Sequence, residues 1–367
     1  MGSTYIGLMS GTSLDGVDGV LVDFGSSGLR VRAHRALPFD AVLRSELLAL
    51  NASGADEIHR ASLAANALAT AYARVVDELL VASGVERTAV TAIGAHGQTV
   101  RHRPREFDGV GYTVQLHGGA RLAELTGIDV VTDFRSRDVA AGGQGAPLVP
   151  AFHAALFGRA GQTLAVLNLG GIANLTLQSP SGPVIGFDCG PANVLMDGWC
   201  LRHRGEPFDR NGAWAAQGRV DAALLGRLQT EPFFSAAPPK STGRDLFNAA
   251  WLDARVQGES PVNVQATLAE LTAWGAAQDL KRHAPDAREL LVCGGGALNG
   301  FLMSRLAAQL PGVRVMATDE RGLPALQVEA CAFAWLAQAF VERRPGNLPS
   351  VTGAQGPRVL GALYPAR

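Results

Sequence analysis

Tyr5-Ile6-Gly7-Leu8-Met9-Ser10-Gly11-Thr12-Ser13-Leu14-Asp15-Gly16-Val17-Asp18-Gly19-Val20-Leu21-Val22-Asp23-Phe24 opens with an apolar run that ends at Met9, crosses a polar, glycine-containing turn and resumes from Gly19. That pattern predicts a strand, a turn and a returning strand. It recurs in the second half of the chain. Thr163 to Leu169, the turn Gly170-Gly171, Asn174 to Leu177 and then Val184 to Asp188 repeat the sequence of strand, glycine turn and return. Two halves that open alike suggest a distant duplication, although few residues are identical between them.

The stretches around these hairpins alternate in the manner of an α/β protein. Helical periodicity covers Ala41 to Leu50 and Ile58 to Ala82, and short strands are expected at Ala92 to Gly94, Thr113 to Leu116 and Asp129 to Thr132, with a helix near Ala120 to Leu125. Such alternation predicts a parallel sheet with crossover helices. Further helices are expected at Ala192 to Arg204, Ala213 to Leu228, Val264 to Arg282, Gly300 to Leu310 and Ala325 to Val341, and a strand at Leu290 to Cys293. Pro232 to Gly243, with its prolines and turn residues, reads as a long ordered loop or lid. A chain of 367 residues exceeds what one core usually supports. The division expected is an N-terminal lobe over 1–147 and a C-terminal lobe over 148–367, with the final helix free to pack back on the first lobe.

Composition narrows the class of partner. The formal net charge is −1 and no long basic run occurs, so the footprint of a nucleic-acid binder is missing. Cys189, Cys200, Cys293 and Cys331 are far apart, without the paired spacing of a zinc site or a disulfide framework. No apolar run approaches the ~20 residues of a membrane span, and Met1 to Gly11 lacks the features of a signal peptide. These features predict a cytoplasmic protein with a small-molecule substrate, no nucleic-acid partner, no membrane partner and no metal-binding side-chain cluster.

Five clusters could carry chemistry. Gly11, Thr12, Ser13, Leu14, Asp15, Gly16, Val17 and Asp18 form a turn that can present amide N–H groups and hydroxyls to phosphate oxygens, with Asp15 and Asp18 near enough for Mg²⁺ or water. The same residues also suit a plain tight hairpin. Gly294, Gly295 and Gly296 follow a strand and precede a helix, where backbone can approach an anion, yet Asn299 stands where a dinucleotide fingerprint needs glycine. A purely structural glycine turn fits there too. Asp188 ends an apolar run, at the carboxyl end of a strand where α/β proteins place catalytic groups, and equally suits a helix cap. His96, Gln98 and Thr99, and likewise Asp133 and Arg135, read as polar substrate loops or as internal hydrogen-bonding and ion-pair groups.

Lys240 and Lys281 are the only lysines, and no phosphate-binding lysine motif is present. A phosphotransferase built on this sequence must therefore hold phosphates with glycine hairpins, hydroxyls and Mg²⁺, as the actin and hexokinase type of fold does.

Gly7 to Asp18, Ala95 to Thr99, Asn168 to Asn174, Asp188 to Pro191, Lys240 to Asp245, Cys293 to Asn299, Glu329 to Leu336 and Asn347 to Ala354 together resemble the anhydro-N-acetylmuramic acid kinases, in order along the whole chain. The resemblance implies a two-lobed actin-like ATPase fold, ribonuclease H-like in each lobe, with an active-site cleft between lobes. It implies a reaction in peptidoglycan recycling that uses ATP, Mg²⁺ and water to open the 1,6-anhydro bridge of the amino sugar and phosphorylate O6. By position, Gly11 to Asp18, Gly170, Gly171, Gly294 to Gly296 and Asn299 would serve ATP, and Asp188 would activate water. His96, Gln98, Thr99, Asp133, Arg135 and Glu329 would face the sugar, and the family suggests a homodimer. Cys189, Ala192, Ala95 and Leu326 depart from the expected pattern. A non-catalytic sugar-binding regulator, or a kinase for another sugar on the same fold, are the alternatives.

Overall fold

β1 (Ser3–Met9) and β2 (Gly16–Gly25) pair antiparallel, with Met9 opposite Asp18, as the hairpin pattern predicts. The computed structural model describes residues 2–11, 13–25 and 28–366, so Thr12 of the predicted turn lies outside the described residues. β3 (Gly28–Pro38) continues the meander along β2. β4 (Val90–Ala95) lies parallel to β1 on its other side, followed by β7 (Val130–Thr132), parallel to β4, and β13 (Ala362–Tyr364), antiparallel to β7. β5 (Gln98–Pro104) and β6 (Gly111–Leu116) form a separate two-stranded ribbon. The strand expected at Thr113 to Leu116 therefore pairs within a hairpin rather than joining the parallel sheet. A connection as short as Arg105 to Val110 can close an antiparallel pair but is too short for a parallel crossover.

These elements make up a first unit, Met1–Phe152 together with Gln327–Arg367. The chain thus leaves this unit slightly later than the expected division at 147 and returns to it at the end. The return has a steric basis. Helix Val328–Val341 lies so close to β1 and β4 that a Cβ on Gly7 would collide with the Ala330 carbonyl, and one on Gly94 with the Phe333 carbonyl. Gly19 needs the same absence on the opposite face, where Val75 of helix Glu57–Ser83 approaches. Alternation along the strands sends Gly7 and Gly19 to opposite faces, so the sheet is covered on both sides and its centre reads as continuous apolar sequence.

The second unit, His153–Leu326, repeats the strand order. β8 (Leu164–Leu169), β9 (Ile172–Gln178) and β10 (Val184–Pro191) form the antiparallel meander, and β11 (Glu289–Cys293) and β12 (Arg314–Ala317) add in parallel beside β8. The orders β3-β2-β1-β4-β7 and β10-β9-β8-β11-β12 match strand for strand in direction and connection. Helix Pro261–His283 runs through this unit's core, and Gly275 admits it to the Cys189 carbonyl beneath β10. The predicted helix over Ala213 to Leu228 is instead one short 3-10 turn, Ala215–Gln217, and a helix confined to Ala222–Gln229, because Asp221 accepts from Leu224 N as its cap and Gly218 abuts Val262. Among the described residues, no helix is long and apolar enough to cross a membrane.

Candidate active site

The first unit builds one cluster around the β1–β2 turn. The Ser10 hydroxyl donates to Gly97 O at 2.9 Å and so accepts from the Tyr72 hydroxyl, also at 2.9 Å, whose ionisation burial suppresses. His96 Nδ1 lies 3.1 Å from Ser10 O, which can only accept, so the proton sits on Nδ1 and Nε2 receives Arg135 Nη2 at 2.9 Å. Burial, then the Arg135 charge, lowers the imidazole pKa to about 3, which fixes this neutral tautomer. Gln98 Nε2 donates to Gly11 O at 3.1 Å. The carbonyls of Ser10 and Gly11 are thereby turned inward and bonded, and Leu14, at φ 58, donates its N–H back to Gly11 O. A turn whose carbonyls are engaged elsewhere can offer its amides and the exposed Ser13 to an anion. Gly16 packs on the Leu37 backbone and Val17 is buried, so these two shape the turn from within.

Arg135 also donates to Gly145 O at 2.8 Å, and burial lowers its pKa to about 10 against the opposing charges of Glu329 and Asp138. No ion pair joins Arg135 to Asp133 among the described residues; the sequence alternative of an internal Asp133–Arg135 pair is replaced by the His96 contact. Asp133, at φ 56, acts instead on His117, whose pKa burial lowers and the Asp133 charge raises. Glu329 has a raised pKa, first from burial and then from the charge of Asp18, with Arg135 opposing. Thr99 Oγ1 accepts from Gln115 at 3.2 Å, while buried Gln98 Oε1 has no hydrogen-bond partner among the described residues. Asp15 is exposed and 4.0 Å from Arg44.

The second unit repeats the arrangement at its own hairpin. Asn193 Nδ2 donates to Leu169 O at 2.9 Å and Gly170 O at 2.8 Å, and the amides of Ala192 and Val194 donate to Gly171 O. Gly294, at φ 79, lies against Asn168 and Leu169, and Gly296 against the Leu169 side chain; larger residues would collide with either. Asn299 caps helix Gly300–Gln309 by accepting from Leu302 N at 3.0 Å, while Asn211 Oδ1 accepts from Gly300 N at 2.9 Å. Gly170, Gly171, Gly294, Gly295, Gly296 and Asn193 thus converge at the carboxyl ends of β8 and β11. Sequence reasoning missed the tie made by Asn193 and the part played by Asn211, both of which depend on tertiary contact.

Asp188 stands on β10, beside a bulge. Its amide donates to Lys240 O at 3.1 Å, and its Oδ2 accepts from Thr242 N at 2.9 Å. Burial pushes its pKa up to about 6, against the Thr242 hydrogen bond and the Lys240 charge. The group is therefore a carboxylate near neutral pH that readily takes a proton, as a general base requires. Its capping alternative does not hold, because Thr242, and not a helix amide, is its backbone donor. Cys189 is buried, bonded to Ala173 O and kept as a thiol by burial, and Ala192 is buried too. Leu326 is exposed.

A family model described as anhydro-N-acetylmuramic acid kinase matches residues 3–366. An anhydro-N-acetylmuramic acid kinase of Variovorax paradoxus is 62% identical, the match covering 100% of both chains. One from Bordetella petrii is also 62% identical, covering 100% of this chain and 97% of that one. Among solved structures, component A of (R)-2-hydroxyglutaryl-CoA dehydratase from Acidaminococcus fermentans covers 90% of this chain and 96% of its own at TM-score 0.50 and 12% identity. That last likeness concerns the fold alone.

Proposed function

The chain belongs to the anhydro-N-acetylmuramic acid kinase family, and from that membership we propose how its residues divide the work of an ATP-dependent kinase acting on the anhydro-sugar. Asp188 takes a proton from water as the water attacks the anomeric carbon. The bond from that carbon to the bridging O6 breaks, and O6 takes the γ-phosphoryl group of ATP, which leaves N-acetylmuramic acid 6-phosphate and ADP. The observation that carries this assignment is Asp188 itself: a carboxyl held by Thr242 N at 2.9 Å and raised by burial to about 6 is poised to accept a proton near neutral pH.

Phosphate binding falls to the two tied-back turns, Gly11 to Asp18 and Gly170–Gly171, with Gly294 to Gly296 and Asn299 beside the latter. His96, Gln98, Thr99, Asp133, Arg135 and Glu329 are assigned to the sugar. The unpartnered Gln98 Oε1 suits a sugar hydroxyl, which can donate to it. Magnesium would suit the partly exposed Asp18 carboxylate at the end of the phosphate turn, since a hard dication prefers oxygen ligands. It would be held there together with water and phosphate oxygens, and would supply charge neutralisation at those oxygens when bound. Among the described residues no group of three or more acidic, histidine or cysteine side chains is placed to hold a metal ion. The protein is further proposed to be a cytoplasmic homodimer. A coupled assay of ADP release, with and without the anhydro-sugar, tests the activity: release should depend on the sugar, and sugar-independent release would contradict it.

A further inference from the structure

Lys240 and Asp279 form an ion pair at 2.9 Å with side chains 4% and 3% exposed, and the ammonium lies 4.9 Å from the centre of the Phe233 ring and 5.8 Å from that of Phe187. Removing two charges from water costs more than most such pairs return, so the pair is a poor device for stability alone. Its backbone suggests another use. The Lys240 carbonyl accepts the Asp188 amide at 3.1 Å, and two residues later Thr242 N donates to the Asp188 carboxylate at 2.9 Å. Phe187, adjacent to Asp188, lies under the same ammonium. The strand end and the Lys240–Thr242 segment are therefore clasped at three points, while the residues between the 3-10 turn Pro232–Ser235 and helix Ala249–Asp253 have no regular structure to fix them. Asp279, itself buried on the core helix Pro261–His283, ties the clasp to the core of the unit.

We propose that Lys240 is a positioning residue for Asp188, its buried pairing with Asp279 holding the Lys240–Thr242 backbone against the catalytic carboxylate. The proposal rests on the catalytic role of Asp188 given above. Thr242, whose amide the clasp holds on the carboxylate, also carries a buried hydroxyl without a hydrogen-bond partner among the described residues. The other titratable groups facing this region are Arg282, 3.5 Å from Asp279, His283, whose ring meets Phe187, and the Cys189 thiol.

The test is the charge-neutral double variant Lys240→Met/Asp279→Leu, since replacing a buried pair by apolar residues commonly leaves folding intact. It is compared with Lys240→Arg, which keeps the cation, by thermal melting, ATP affinity and the pH profile of kcat. The expected result is a folded enzyme with wild-type ATP affinity and kcat reduced about 10- to 100-fold, because a base displaced by a fraction of an ångström loses much of its effect. The acidic limb of its profile should move to higher pH as the Lys240 charge is lost, while Lys240→Arg keeps the wild-type limb. A double variant with wild-type kcat and limb overturns the proposal, as does one that merely melts lower while its limb stays in place. Asp188→Asn is assayed alongside. If it remains active, the catalytic role of Asp188 fails; if it is inactive while the double variant behaves as wild type, only the positioning role fails.

Discussion

Asp188 is the base proposed above, and its environment makes measurable demands on that role. With its pKa pushed up to about 6 by burial, kcat/KM should rise with pH through about 6 and level off above it. Asp188→Asn should lower kcat by about 10²- to 10⁴-fold with ATP affinity near wild type, as isothermal titration would show, because it removes a base but none of the glycine turns. Stability should move the other way. A carboxyl whose folded value lies above its ordinary value is most favourable to folding below about pH 4, and that contribution is lost as pH rises through about 6. Asparagine cannot ionise, so Asp188→Asn should melt higher than wild type at pH 8, by an amount on the order of 1–3 kcal/mol in calorimetry. Asp188 was legible because a lone carboxylate closes an apolar strand. Its partners were not, because Lys240, Thr242 and Asp279 are distant in sequence and meet only once helix Pro261–His283 has packed beneath β10.

At the scale of elements, glycines set how closely helices approach sheets. Gly7 meets the Ala330 carbonyl and, 2.8 Å from its notional Cβ, Ala334 N, so alanine there must displace backbone and not a flexible side chain. Gly7→Ala should lower the denaturant midpoint by an amount equivalent to about 2 kcal/mol or more, whereas Gly84→Ala, with nothing near its Cβ, should cost only the strain of its φ of 66. Equal effects at the two sites would contradict the packing account. The hairpins β1–β2 and β8–β9 could be read from sequence because apolar runs there are broken by short polar or glycine turns. β3 and β5 could not, since Gly28–Pro38 and Gln98–Pro104 carry arginines and histidines on their exposed face and dilute the apolar signal. The helix expected from Ala213 failed for a different reason: local periodicity there carries no record of the tertiary contact between Gly218 and Val262. The tying of both turns' carbonyls by an amide side chain, Gln98 in one unit and Asn193 in the other, was likewise invisible before the fold was known.

For the molecule as a whole, the repeated strand order gives physical form to the echo between the two hairpins. The echo was faint in sequence because equivalent strands need only equivalent patterns of burial, not equivalent residues. The carboxyl-terminal return to the first unit was less legible, since helix Val328–Val341 is apolar nearly all round and so does not announce which sheet it covers. If the protein is a homodimer, light scattering should give twice the 38.3 kDa chain mass, and a mass of one chain at assay concentration would contradict that assembly. In the proposed reaction water opens the anhydro bridge while phosphate passes to O6. Its most direct test is mass spectrometry of the product formed in ¹⁸O-labelled water and quenched promptly. One labelled oxygen on the sugar with an unlabelled phosphoryl group is the predicted result; label in phosphate, or a phosphorylated sugar with its bridge intact, would contradict it.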